Sequence, residues 1–237
     1  MGEHGTPLVQ VFGVHLDLSV AISSTVTALL VLWLALRGAR SAQAGVPQGL
    51  GNALEWYYEF IEGIARDAFS SERAKIFSPF LATLFLYTFV ANQVGLVFNF
   101  VVGDKSYWKS PTADAHVTLT MALIVLVAAH AMSIRLNGVK GYLKGLLQPS
   151  PIGPLLVLME TFTNTLTHGL RLFGNIFAGE VLVGLLVGTL KYSFLMAILL
   201  SPALLIWQGF SLFIGTIQAF IFTVLAAVYI AQRVEAH

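Results

Sequence analysis

Residues 192–232 read YSFLMAILLSPALLIWQGFSLFIGTIQAFIFTVLAAVYIAQ, 41 residues without an Asp, Glu, Lys or Arg. At 1.5 Å rise per residue a helix of that length spans about 60 Å, roughly twice the hydrocarbon core of a bilayer. No water-soluble core is wide enough to hide such a run, so it marks an integral membrane chain. Pro202, Gly209 and Gly215 are candidate break points, but no polar loop divides the run. That pattern favours one long, steeply tilted helix over a tight hairpin. The preceding segment, 152–189, raises the same problem with 38 residues, and it carries Glu160, Arg171 and Glu180.

The rest of the chain agrees. Of 237 residues, 57% are hydrophobic and 11% charged, against about 25% charged in soluble domains. Residues 18–36 form a charge-free run of 19 that ends before Arg37, enough for a first span. The first 17 residues hold no Lys or Arg, so that run is expected to be retained rather than cleaved as a signal peptide. Residues 52–70 mix Trp56, Tyr57, Phe60, Ile61 and Ile64 with Glu55, Glu59, Glu62 and Arg66, the spacing of an amphipathic helix lying on a membrane face. Residues 76–103, interrupted chiefly by Asn92, Gln93 and Asn99, and residues 116–134 read as spans 2 and 3. Pro149, Pro151 and Pro154 mark the start of the next helix. The expected fold is an all-α integral membrane protein. It comprises one membrane domain over 1–237, with 1–17 outside, five transmembrane helices, one interfacial amphipathic helix, and long, steeply tilted helices over 152–189 and 192–232.

Several function classes drop out. Thirteen Lys and Arg against twelve Asp and Glu leave a net charge of +1, too little for a nucleic-acid-binding face. Without any cysteine there are no disulfides, thiolate metal sites or cysteine nucleophiles. Under five spans, Arg37, Arg40, Arg66, Arg73, Lys75, Arg135, Lys140, Lys144 and Arg233 fall on one side, opposite Lys105, Lys109 and Lys191. The richer side is cytoplasmic by the positive-inside rule, which puts the N-terminus outside and the C-terminus inside.

Arg171 sits within a span, where a permanently charged guanidinium costs about 2.5 to 3.5 kcal/mol. One reading pairs it with an acid of its own helix. On a straight helix Glu160 lies about 20° away in rotation but roughly 16 Å along the axis, and Glu180 lies about 180° round and roughly 13 Å along. Neither reaches it. The same wheel aligns Glu160, Asn164, Thr167, His168, Arg171, Asn175 and Ala178 in a polar stripe, the kind that lines an ion or proton pathway or glues helices together. On the last helix Ser211 and Gln218 share a face, and Gln218 is placed to hydrogen-bond to that stripe. Asn92 and Gln93 divide between helix contact and channel lining, while His116 and His130 fall near span ends.

The run His168-Gly-Leu-Arg171-Leu-Phe-Gly-Asn175-Ile-Phe-Ala-Gly-Glu180 resembles the signature of subunit a of the bacterial F-type rotary ATP synthase. Gly215-Thr-Ile-Gln218-Ala-Phe-Ile-Phe222 is similar to that family's last helix, and Pro111-Thr-Ala-Asp114 precedes a span as it does there. The resemblance implies a stator subunit in the bacterial cell membrane beside a rotor ring of c subunits. Its other partners would be peripheral-stalk b subunits, the F1 sector and lipid. In that role Arg171 faces the ring carboxylates. Glu180, with Asn175, Ser211 and Gln218, lines an outer half-channel, and Glu160 with Asn164 and His168 lines the inner one. ATP chemistry would lie on other subunits, consistent with the lack of a phosphate-cradling Gly-x-x-x-x-Gly-Lys-Ser/Thr sequence, and no cofactor is expected. Some relatives carry His where this chain has Ser211, which cannot titrate near neutrality. Many have an apolar residue in place of His168, and certain alkaliphile relatives have Lys at Gly179.

Two other functions would each leave a mark in the sequence. A self-contained anion or amino-acid transporter would show paired repeats, and none is visible. An intramembrane hydrolase built on Glu160 and His168 would leave those residues two turns apart with no third metal ligand.

Overall fold

The computed structural model describes residues 8–11, 14–41, 49–97, 101–102, 105–106, 108–147, 153–190 and 194–235. Helices dominate: α1 (Leu18–Ser41), α2 (Leu50–Ala68), α3 (Ser71–Val97), α4 (Ala115–Leu147), α5 (Gly153–Leu190) and α6 (Phe194–Val234). Five of them, all but α2, are long and apolar enough to cross a membrane. Two short antiparallel hairpins accompany the helices, β1 (Leu8–Val11) with β2 (Val14–Asp17) and β3 (Val101–Val102) with β4 (Lys105–Ser106). Asn99, Pro149, Pro151 and Lys191 lie outside the described residues.

Charge-free runs and helices differ at their ends for physical reasons. α3 begins at Ser71 and takes Glu72, Arg73 and Lys75 into its first turns, because a helix continues past the apolar zone wherever its charged side chains find polar partners. It ends at Val97, and the expected continuation toward 103 meets the β3–β4 hairpin instead. α4 runs on past 134 to Leu147, bending at Gly138, whose φ of 70° and ψ of 165° suit only glycine. α6 is continuous from Phe194 to Val234 with Pro202 inside it, so the proline does not split the segment into two.

The chain packs as two compact units, each taking parts of several helices. The first comprises Met1–Leu32, Leu86–Thr118 and Arg171–Phe220. Val31, Val90 and Val94 form its buried apolar cluster, with Leu86, Tyr87, Phe89 and Trp108 against it. The Trp108 indole N–H donates to the Val94 carbonyl at 3.0 Å, tying the segment before α4 to the end of α3. Asp114 caps α4 by accepting the His116 amide at 2.8 Å.

The second unit comprises Trp33–Phe85, Leu119–Leu170 and Ile221–His237. In it α2 buries Ile61 and Ala65 completely, while Trp56 on its other face is 72% exposed, the two-sided character its spacing predicts. The Tyr57 hydroxyl donates to the Ala82 carbonyl. The C-terminal carbonyls of α6 would otherwise lack partners. Ser133 Oγ donates to Arg233 O at 2.6 Å, and both Asn137 Nδ2, at 3.1 Å, and the Arg73 guanidinium donate to Val234 O. Glu235 reciprocates by accepting from Ser70 N and Oγ at 3.0 Å each, at the start of α3.

Candidate functional site

Arg171, Asn175, Glu180, Ser211 and Gln218 all belong to the first unit. Arg171 is exposed on α5, and among the described residues no acid forms a salt bridge with it. One turn on, Asn175 Nδ2 donates to Gln218 Oε1 at 2.8 Å. Gln218 is 97% buried, which follows from its 3% exposure, so this bond fixes the orientation of an amide that has little water to turn to. The last helix thus meets the stripe at Asn175, next to the unpaired cation. Ser211 is buried on α6, its Oγ 3.6 Å from where a Cβ on Gly179 would stand.

Glu180 is seated by residues far from it in sequence. The Ser110 amide donates to its Oε1 at 2.6 Å. Gly95 lies beside the pair: a Cβ there would stand 2.6 Å from Glu180 Oε1 and 2.4 Å from Ser110 N. Ser110 is in turn clasped, its Oγ 2.7 Å from the Ala91 carbonyl and 2.8 Å from Thr112 Oγ1. Thr112 Oγ1 donates to Asn92 Oδ1 at 2.7 Å, and Asn92 Nδ2 donates to Gly215 O at 2.8 Å. Asn92 is therefore a buried helix-to-helix tie. Gln93 Nε2 lies 3.2 Å from both Leu212 O and Thr216 Oγ1, a second tie to α6. Lys109 sits 3.4 Å from Asp17 and 3.9 Å from Asp114, joining the end of β2 to the same loop.

The second unit holds the other candidates. Glu160 has Arg233 as its cation, at 3.7 Å, and Arg233 also donates to Thr161 Oγ1 at 3.2 Å. Asn164, His168, Tyr229 and Gln232, with Thr161 and Arg233, line a cavity of about 30 Å³, room for about one water. His168 is 2% exposed, stacked on Phe222 at 3.8 Å and edge-on to Tyr229 at 5.5 Å. The single stripe drawn on the wheel divides here, because His168 turns into aromatic packing while Glu160, Thr167, Arg171, Asn175 and Ala178 are exposed. His130 Nδ1 is 3.0 Å from the Tyr142 hydroxyl in this unit, whereas His116 belongs to the first unit, exposed beside Asp114.

The model of the ATP synthase A chain family matches residues 21–231, which takes in Glu160, Asn164, His168, Arg171, Asn175, Glu180, Ser211 and Gln218. The chain belongs to that family. It is similar to ATP synthase subunit a of Anoxybacillus flavithermus, at 45% identity over 233 residues, with 98% of each chain covered. The subunit a of Staphylococcus aureus strain JH9 is 42% identical over 241 aligned positions, and that of Priestia megaterium 39% over 232, again with 98% of each chain covered. Reading the sequence alone missed Gly95, Ser110 and Arg233. Gly95 carries no chemistry to notice, the Ser110 contact is made by backbone, and Arg233 reads as an ordinary positive-inside residue.

Proposed function

We propose that this chain is the proton-conducting stator subunit of a bacterial F-type ATP synthase, set beside a rotor ring of c subunits. Peripheral-stalk b subunits would hold it to the F1 sector, which carries the ATP chemistry. One observation carries the reading: Arg171 is exposed within a span-length helix and among the described residues no acid pairs with it, while Glu160 and Glu180 of that helix are engaged by Arg233 and Ser110. A cation in that position needs a counter-charge in trans. A carboxylate on each passing ring subunit supplies one transiently, and Arg171 favours its ionised form.

Protons enter from outside past Glu180, with Asn175, Gln218 and Ser211 completing the outer path, and load a ring carboxylate. After rotation they leave on the cytoplasmic side past Glu160, Asn164 and His168. Arg171 keeps the paths apart, since a fixed cation repels a proton crossing directly. Each charge that crosses releases about 2.3 kcal/mol per 100 mV, so several crossings drive one ATP. The distribution of Lys and Arg supports an external N-terminus and a cytoplasmic C-terminus.

The test is ATP-driven proton pumping and ATP synthesis in inverted vesicles carrying the assembled complex, with assembly followed by immunoblot. Arg171→Ala is expected to assemble and lose both couplings. Undiminished coupling in the variant overturns the assignment.

A further inference from the structure

We infer that Gly95 and the backbone amide of Ser110 are positioning elements that hold Glu180 as a fixed proton relay rather than a swinging arm, with Oε1 anchored and Oε2 presented to the proton path. This rests on the reading of Glu180 as the outer-path carboxylate. Among the described residues Oε1 accepts one hydrogen bond, from Ser110 N, and Oε2 accepts none. An amide N–H only donates, so a proton arriving at the carboxylate goes to Oε2. Oε1 then becomes the carbonyl oxygen of the acid and still accepts the same N–H. The anchor therefore persists in both protonation states, and the carboxyl loads and unloads a proton without moving its side chain.

Two features make the anchor rigid. The Ser110 main chain is pinned through its own hydroxyl to Ala91 O, and through Thr112 and Asn92 to Gly215 O on α6. Trp108 and Lys109 tie the residues just before it to Val94, Asp17 and Asp114. The close approach also depends on Gly95, because a Cβ at that position would lie 2.4 Å from Ser110 N, 2.5 Å from Ser110 Cβ and 2.6 Å from the carboxylate oxygen. The first of those contacts is to main chain held on several sides, which has little freedom to yield, so the carboxylate, at the end of its side chain, is the group that would be displaced.

Ser110 has φ of −58°, which proline adopts without strain. Ser110→Pro therefore removes the donor at a φ proline can adopt and sets its Cδ where the Glu180 oxygen is seated, and Ser110→Ala removes only the hydroxyl. In assembled complexes in inverted vesicles, Ser110→Ala should pump protons two- to threefold more slowly. Ser110→Pro and Gly95→Ala should each be slower by about tenfold or more, as expected for losing a hydrogen bond to a charged group. Glu180→Asp withdraws the carboxylate by one methylene and breaks the same contact. In that background Ser110→Pro should therefore add less than twofold, whereas a merely structural Ser110 would lose the full factor again. Equal rates for Ser110→Pro and Ser110→Ala, or additive losses with Glu180→Asp, overturn the seat and leave the Arg171 result untouched. A high-resolution cryo-electron microscopy map of the wild-type complex decides the matter if the variants fail to assemble. Glu180 within hydrogen-bond distance of Ser110 N supports the seat, and a carboxylate turned away from it refutes it.

Discussion

Asn175 and Gln218, 43 positions apart in the chain, join their amides at 2.8 Å in the turn that follows Arg171. Each side chain restrains the other, so the polar surface beside the cation has a set orientation of donors and acceptors.

Gln218→Leu removes the acceptor and frees the exposed Asn175 amide to turn from its set orientation. Pumping in inverted vesicles should fall about tenfold, in line with roughly 1.4 kcal/mol of lost positioning. Adding Asn175→Leu should then cost little more, because the pair is already broken.

Arg233 and Glu160 form a partly exposed pair whose side chains are 18% and 51% accessible. Such pairs contribute about 0 to 1 kcal/mol, so Arg233→Gln should hardly move the thermal unfolding midpoint of the purified complex. Glu160→Gln, by contrast, should slow pumping several-fold in the same preparation, separating a role in proton exit from a role in stability.

Arg73 donates to Val234 O and sits 3.2 Å from Glu235. Arg73→Ala removes one of the two side-chain donors to Val234 O, leaving Asn137, and takes the cation from Glu235, a loss of about 0.5 to 1.5 kcal/mol. A lower unfolding midpoint is expected, with a similar but smaller drop for Glu235→Ala, which removes the acceptor over the start of α3.

Gly138→Ala places a Cβ at a positive φ with extended ψ, a backbone state that costs about 1 to 3 kcal/mol for any residue but glycine. The variant should unfold at a lower temperature, and Gly138→Asn should lose about as much, because this φ/ψ pair lies in a region open to glycine alone and not in the left-handed α region that Asn tolerates. Identical midpoints for all three proteins would mean that α4 straightens at this position.

Much of the fold was legible because a bilayer imposes a simple rule: a span must be long and almost free of charge, and a chain shows that locally. The run from Tyr192 to Gln232 marked membrane-spanning structure and favoured one long helix over a hairpin, and the alternation of Ile61 and Ile64 with Glu59 and Glu62 marked a two-sided helix. Arg171 was legible for the same reason, since its cost in a span is written into a single residue type. The wheel was less reliable for side-chain surroundings. It placed His168 in line with Arg171, but the rotation that exposes Arg171 turns His168 onto Phe222, 54 residues later.

The amino-acid sequence by itself determined the membrane class, five span-length apolar segments and a cation that neither acid of its own helix can reach, because these follow from hydrophobicity and from helical geometry within one segment. Only the tertiary structure decided which groups serve the two acids: Arg233 for Glu160, and the Ser110 amide in the space left by Gly95 for Glu180. Those partners lie 70 or more positions away. One of them acts through a backbone N–H that every residue but proline possesses, and another through the absence of a side chain. Neither property leaves a mark in a one-dimensional pattern, since both come into being only when distant helices pack.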